Sequence, residues 1–408
     1  MTGGLAFLHR RSDSAQEGPA HVAQHSSSPL LQLLSRLEAH SDQFTALFYN
    51  RLFAIDPPTR ELFPVAMARQ RTMLFRVLAH VIETIDHELE LEELVTFLAQ
   101  LGRDHRKYGV LPSHYESFGT ALLWAMRTQL GPQWTPAMEA AAAQVVELTT
   151  VVMRSAAETE AQRLPAWWSA TVVEHHRKTR DLAVVRVESD VPIPYQPGQY
   201  FSVEVPQYPR IWRFYSAAIP PNNLGQMEFH IRAVPGGSVS QAMVSSARYG
   251  DRWRIGAPHG AMEVDRTGGR DVVMVAGGTG LAPLRALIMD MCRFGENPRV
   301  HLFYGTRYPG ELYDLDTLWE LMRTNPWLSV TPVSEFDEDP WSLGKTADSS
   351  PFGLYLRQTG TLADVVCSYG RWSDRQILVC GSAAMVEATV EQMVANGTPR
   401  ENIQHDPI

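Results

Sequence analysis

The sequence predicts a multidomain chain with three parts in series: an all-α part, an antiparallel β-barrel, and an α/β part built on a parallel sheet. Three observations carry this. Apolar residues recur at helical spacing from about residue 29 to residue 162. From Ala170 the apolar runs become short and β-rich, and Pro/Gly turns separate them. After Gly268, strand-like runs alternate with helical stretches, and the first, Asp271 to Pro283 (DVVMVAGGTGLAP), ends in a glycine-rich turn ahead of a helix-like segment.

The chain has 408 residues, enough for two or three separately buried cores. A net charge of −9 argues against nucleic acid as a main partner. No apolar run approaches the roughly 18 residues that span a bilayer. The short Leu5–Leu8 stretch lacks a cleavage-like pattern, so no secretory signal is expected. Cys292, Cys367 and Cys380 are scattered, with no CxxC and no metal spacing, which suits a reducing cytoplasm. No pattern fixes the oligomeric state.

Residues 1–28 are rich in Ser, His, Gln and Gly without periodicity and read as a loose tail. Ser28-Pro29 then reads as a helix N-cap with proline in the first turn. The helical domain runs over 29–164. Its apolar sets are Phe44, Leu47, Phe48 and Leu52, then Met73 to Val81, Ala121 to Met126 and Val145 to Met153; Asp56-Pro57-Pro58, Gly109 with Pro112, and Gly131-Pro132 break it into pieces. Pro165-Ala166-Trp167-Trp168 marks the change to a barrel over 165–268, with runs ATVVEHH, LAVVRVESD, QYFSVEV, MEFHIRAV and WRIGAP. Residues 269–408 form the nucleotide-type domain. Strands DVVMVA, VHLFYG, LSVTPV and QILVCG alternate there with helices at 284–294, 313–324, 360–368 and 383–396.

Gly277, Gly278, Thr279 and Gly280 sit where a strand must turn sharply and let a phosphate approach the backbone at a helix N-terminus. Close packing alone also selects such glycines. Cys380-Gly381-Ser382 ends another apolar strand and brings a second glycine turn to the same sheet edge. Gly305-Thr306-Arg307 follows the second strand, near the expected adenosine ribose. Arg307 reads either as a partner for a 2′-phosphate or as a solvated cation, so NADH and NADPH both stay open.

Within the barrel, Arg213-Phe214-Tyr215-Ser216 and Gly236-Gly237-Ser238-Val239-Ser240 stand out, preceded by Gly198-Gln199-Tyr200. An arginine two residues before a tyrosine on a strand shares its face, so a guanidinium can clamp a diphosphate while the ring packs on a planar heterocycle. A cross-strand Arg/Tyr pair beside a glycine turn is the structural alternative. Together, and followed by GGTGLAP, these motifs resemble the ferredoxin-reductase-like flavoenzyme module from about Ala170 to the C-terminus. The resemblance implies FAD held by Tyr200, Arg213, Tyr215, Ser216 and the Gly236, Gly237, Val239 and Ser240 turn. It also implies hydride entering from NAD(P)H.

In the helical domain His105 lies in LGRDHRKYGV, Tyr49 in FTALFYNRLF and Phe63 in RELFP. Gln70 and Leu74 share one helix face at i, i+4, and Tyr115 follows His105. This order resembles the globin domain of flavohaemoglobins over about residues 30–160, and the domain order is also that family's. The resemblance implies a b-type haem with His105 as iron ligand and walls from Phe63 and Leu74. It further implies that Tyr49 and Gln70 hydrogen-bond dioxygen in the distal pocket, and that Tyr115 hydrogen-bonds His105. Helix packing is the structural alternative for Tyr49 and Phe63 as isolated aromatics.

Three positions depart from that family. Asp104 replaces the lysine that normally precedes the proximal histidine. Ala156 falls where a helix-borne carboxylate is expected, with Glu158 about 200° further around the helix and so expected to be solvated. Ile408 stands where an aromatic ring covers the flavin. These departures resemble a divergent branch, such as the second flavohaemoglobin type of actinobacteria. The expected activity is nitric-oxide dioxygenase, in which NAD(P)H, FAD and haem convert NO and O2 to nitrate. An electron-transfer flavohaem oxidoreductase with another donor, such as a small hydroxy acid, or another acceptor is the alternative. A gas-binding sensor or carrier is the third reading.

Overall fold

The computed structural model describes residues 28–87, 91–340 and 354–406. The expected tail, apart from Ser28, and the position of Ile408 lie outside the described residues. The chain divides into two compact units, with the boundary between Trp167 and Trp168.

The first unit is helical. Ser28 caps α1 (Pro29–Glu38): its hydroxyl accepts from the Leu31 N–H at 3.1 Å, as the Ser-Pro pair foreshadows. Then follow α2 (Ser41–Ile55), α3 (Ala68–His87), α4 (Leu91–His105), α5 (Pro112–Leu130) and α6 (Pro136–Ala161). Phe44, Phe48, Leu98, Met126 and Val145 form the buried centre, each presented by a helical repeat. α2 packs on α5, and α4 on α6. The second pairing depends on Gly102, where a Cβ would stand 2.2 Å from the Met153 carbonyl oxygen. That glycine draws α6 against the turn of α4 that precedes His105. Gly109, at φ +84°, stops the short 3₁₀ turn Arg106–Tyr108 that follows.

Among its described residues, the second unit carries two six-stranded sheets. The antiparallel one contains β1 (Trp168–Arg177), β2 (Leu182–Ser189), β3 (Tyr200–Glu204), β4 (Arg213–Ser216), β5 (Gln226–Arg232) and β6 (Arg252–His259). Its order is β4-β3-β6-β1-β2-β5, and a bridge between Ala217 and Phe229 draws the two edges together into a nearly closed barrel. Alternate residues such as Phe201, Phe229 and Trp253 fill it. A short helix, α7 (Ser238–Ser245), follows the Gly236-Gly237 pair, where the sequence suggested only a turn.

The parallel sheet contains β7 (Val272–Gly277), β8 (Val300–Thr306), β9 (Leu328–Ser334), β10 (Gln358–Thr359), β11 (Gln376–Cys380) and β12 (Ile403–Gln404), in the order β10-β9-β8-β7-β11-β12. Between them run α8 (Leu281–Met291), α9 (Leu315–Thr324), α10 (Leu362–Ser368) and α11 (Ala383–Ala395). Successive β7 residues face opposite layers: Met274 and Ala276 join α8, whereas Val273 and Val275 join α10 and α11. β7 is central, and strand order reverses between β7 and β11. Open α/β sheets bind ligands at such a point. No described helix is long and apolar enough to cross a membrane.

Candidate functional site

In the helical unit, Nδ1 of His105 lies 2.7 Å from the Leu101 carbonyl oxygen, one turn back on α4. A carbonyl can only accept, so Nδ1 carries the proton and Nε2 keeps its lone pair. Burial pushes the imidazole pKa below its ordinary value, although the Leu101 bond and Asp104 oppose this. The ring is therefore neutral and fixed in the tautomer a metal ligand needs. Asp104 does not leave a bare negative charge beside it, because Lys107 Nζ pairs with that carboxylate at 3.0 Å.

Tyr49 is buried among Phe53 and Phe63, with ring centroids 5.9 and 5.4 Å away, and its hydroxyl donates to the Gln70 backbone oxygen at 3.3 Å. Burial raises its pKa, which the charge of Arg71 only partly offsets. Phe63 and Leu74 pack, half-buried, against the same core. Gln70 Oε1 and the Tyr115 hydroxyl are shielded without any hydrogen-bond partner. The expected Tyr115–His105 hydrogen bond is not formed, since Leu101 already takes the Nδ1 proton. Tyr115 is instead pushed up to about 12 by burial and by the charge of Glu158. Glu158 is exposed, as expected, yet near enough to act on that phenol. Neutral imidazole, aromatic walls and shielded, unsatisfied polar groups fit a haem.

In the barrel, β3 pairs Tyr200 with Ser216, Phe201 with Tyr215 and Val203 with Arg213. Strand alternation therefore puts Arg213 and Tyr215 on one face, and Tyr200 and Ser216 on the other. β4 ends the strand order, so a group at that edge can meet both faces. Arg213 donates to the Trp212 backbone oxygen at 2.9 Å. Burial pushes the Tyr215 phenol up to about 12, against the opposing charge of Arg213. Tyr200 stacks on His259 at 5.6 Å with Phe214 edge-on at 5.3 Å. Gly236 has φ +75° and open space where a Cβ would be, at the entry to α7. Two members of that motif act locally instead. Val239 is a core side chain, and the Ser240 hydroxyl donates to the Gly237 oxygen at 3.2 Å.

At the parallel sheet, the two glycine turns meet. A Cβ at Gly280 would stand 2.3 Å from the Cys380 oxygen, and one at Gly277 would stand 2.5 Å from Met385 Cε. These glycines serve close packing. Gly278 differs: φ is +55° and its would-be Cβ meets nothing within 4 Å, which leaves the backbone beside Thr279 open to a phosphate. Cys380 is buried with Sγ 3.4 Å from Met262 Sδ, and burial raises its thiol pKa far above normal. Gly381 abuts Gly277. Arg307 lies over the Tyr308 and Phe336 rings, 5.5 and 5.7 Å from their centroids.

One residue escaped the sequence reading. Burial pushes the Asp406 carboxyl up to about 7, and its charge acts on Cys380. Its Oδ1 would lie 2.8 Å from a Cβ at Gly260, whose nearest other neighbour is Tyr200. Asp406 thus stands between the barrel motif and the second glycine turn. The only available signal was an acid closely following the last strand.

Three domain families match the chain. Residues 46–153 match the globin family, 169–264 the oxidoreductase FAD-binding domain and 274–391 the oxidoreductase NAD-binding domain. A flavohaemoglobin structure from Malassezia yamatoensis, with bound FAD and haem, shares the fold with a TM-score of 0.70 at 16% identity, over 93% of this chain and 98% of that one. The chain joins a globin domain to the FAD- and NAD-binding domains of oxidoreductases, a fusion with the flavohaemoglobin fold.

Its reductase half is similar to a ferredoxin–NAD(P)+ reductase of Metapseudomonas resinovorans, 30% identical over 58% of this chain and 68% of that protein. It is also similar to the reductase component of a propane 2-monooxygenase from Rhodococcus jostii (strain RHA1), 30% identical over 56% of this chain and 60% of the relative. The chain spans about three fifths of the length of the first such relatives. The three matched domains bring haem, FAD and a nicotinamide dinucleotide together as the cofactors of one chain.

Proposed function

We propose that this chain is a nitric-oxide dioxygenase, consuming NO and O2 at the expense of NAD(P)H in the cytoplasm. The observation that carries the reading is His105, neutral and with Nε2 left as a lone-pair donor by the Leu101 bond. When bound, nicotinamide supplies hydride, flavin splits the electron pair, and haem iron binds the gas. The chain's residues do the rest. Gly278 and Thr279 offer backbone N–H groups to the dinucleotide pyrophosphate. Arg213 and the Gly236-Gly237 entry to α7 hold the flavin diphosphate, with Tyr215, Tyr200 and Ser216 at the ring. Phe63 and Leu74 exclude water around the haem. Tyr49 keeps its proton throughout the physiological range, because burial raises its pKa, and so serves as a donor beside Gln70.

A second reading keeps the cofactors but passes the electrons to another acceptor. The absent Tyr115–His105 bond favours it, because the proximal imidazole then lacks the phenol that would tune it. NO-electrode traces with NADH or NADPH in aerated buffer, with nitrate measured at the end, separate the two. Nitrate formed in step with NO consumed supports the dioxygenase. Rapid haem reduction without NO consumption supports the other acceptor.

A further inference from the structure

Strand β5 has two unlike faces. Met227, Phe229 and Ile231 point into the barrel core, while Glu228, His230 and Arg232 point outward. Outward residues of a barrel strand are ordinarily solvated, yet the Glu228 and His230 side chains are only 5% and 0% exposed. The parallel-sheet half covers them, with at least one partner for each rung. Glu228 accepts from Arg285 of α8. His230 Nδ1 lies 2.7 Å from the Tyr313 hydroxyl, and Arg232 pairs with Glu311 at 3.0 Å. Arg285 also pairs with Asp314 at 3.3 Å and reaches His230 Nε2 at 3.0 Å. Burial alone would raise the Glu228 pKa, but His230 and Arg285 outweigh it and keep the carboxylate charged.

Charged, buried contacts of this kind add little net stability, but they penalise every misaligned alternative heavily. Consecutive rungs are about 6.7 Å apart along a strand, so a slip of one rung breaks all three contacts. Both ends of the ladder are tied to candidate sites. Arg285 sits on the helix that leaves the Gly278–Gly280 turn, and β5 itself lies against that turn. On the barrel side, Phe229 bridges to Ala217, directly after Tyr215 and Ser216.

We propose that the Glu228–Arg285, His230–Tyr313 and Arg232–Glu311 ladder is a positioning device that aligns the flavin-binding barrel with the dinucleotide turn for hydride transfer. It rests on the reading of those two sites given above. In that step NAD(P)H gives up a hydride, two electrons and a proton's mass together, leaving NAD(P)+ and FADH⁻. Arg285, tied to Glu228 and Asp314, acts here through alignment.

The test is anaerobic stopped-flow reduction of the FAD-loaded full chain, at varied NADH and NADPH, for wild type, Arg285→Met, Arg285→Lys and the outer-rung variant Arg232→Met. FAD content and melting temperature are read in parallel. The expected result for Arg285→Met is a limiting rate at least tenfold lower, with half-saturation within about threefold of wild type because the sheet still binds the dinucleotide. FAD content should be unchanged, and Arg285→Lys should recover much of the rate. Arg232→Met should fall about threefold, and it decides the matter if Arg285→Met loses FAD. A limiting rate within twofold of wild type in a folded, FAD-loaded variant overturns the ladder alone. A wild type that neither nucleotide reduces overturns the dinucleotide reading and the ladder with it.

Discussion

His105 donates its Nδ1 proton to the Leu101 carbonyl at 2.7 Å, which leaves Nε2 as the ring's electron-pair donor. The α4 backbone thereby sets the tautomer of a side chain one turn further on, before any metal is considered. His105→Ala should abolish the Soret band of the purified protein and leave the flavin absorbance intact. An undiminished Soret band in that variant removes His105 from the ligand role.

Gly102 controls how closely α6 approaches the same turn. Gly102→Val places a Cβ about 2 Å from the Met153 backbone and adds two methyl groups. The helices must separate, at a cost of about 1–3 kcal/mol or more. Thermal unfolding followed by circular dichroism should show a lower midpoint and earlier haem loss. A midpoint matching wild type means that α4 and α6 do not pack as described.

Gly280→Ala should force apart the two glycine turns, because its Cβ would meet the Cys380 carbonyl 2.3 Å away. The half-saturating NAD(P)H concentration should rise by tenfold or more while FAD content stays at the wild-type level. Unchanged saturation behaviour would mean that the β7–β11 edge is not where the dinucleotide sits.

Asp406 makes a pH-dependent contribution with a definite sign. Its folded pKa of about 7 lies above the ordinary carboxyl value of 3.8. Between those two values the folded state binds more protons than the unfolded state, so stability falls as pH rises through that window. Asp406→Asn should flatten the decline in urea midpoint between about pH 4 and pH 7. Parallel curves for both proteins would place the Asp406 carboxyl in solvent.

The order of helical, barrel and parallel-sheet parts was legible because each imposes its own period on the sequence. Ser28-Pro29, the glycine turns and the strand runs carry local chemistry, and they stand where that chemistry puts them. α7 was hidden, because eight residues beginning Ser-Val-Ser show too little helical period beyond a glycine pair. Tyr115 was placed by order alone. Order does not reveal that the Leu101 carbonyl occupies the proton Tyr115 would need. The β5 ladder was invisible for another reason: Glu228, His230 and Arg232 alternate with apolar residues as on any barrel strand, and their partners lie far along the chain, at residues 285 to 314. Asp406 was hidden because it packs beside the barrel's Gly260, far back in the sequence.

Electrons are expected to pass from nicotinamide through flavin to a haem held by one histidine. Anaerobic stopped-flow mixing of the purified protein with NADH or NADPH tests it most directly, with the flavin and Soret bands followed together. Flavin bleaching should come first, followed by a Soret shift to ferrous haem. Flavin reduction with a Soret band that never moves, in protein carrying both groups, would contradict it.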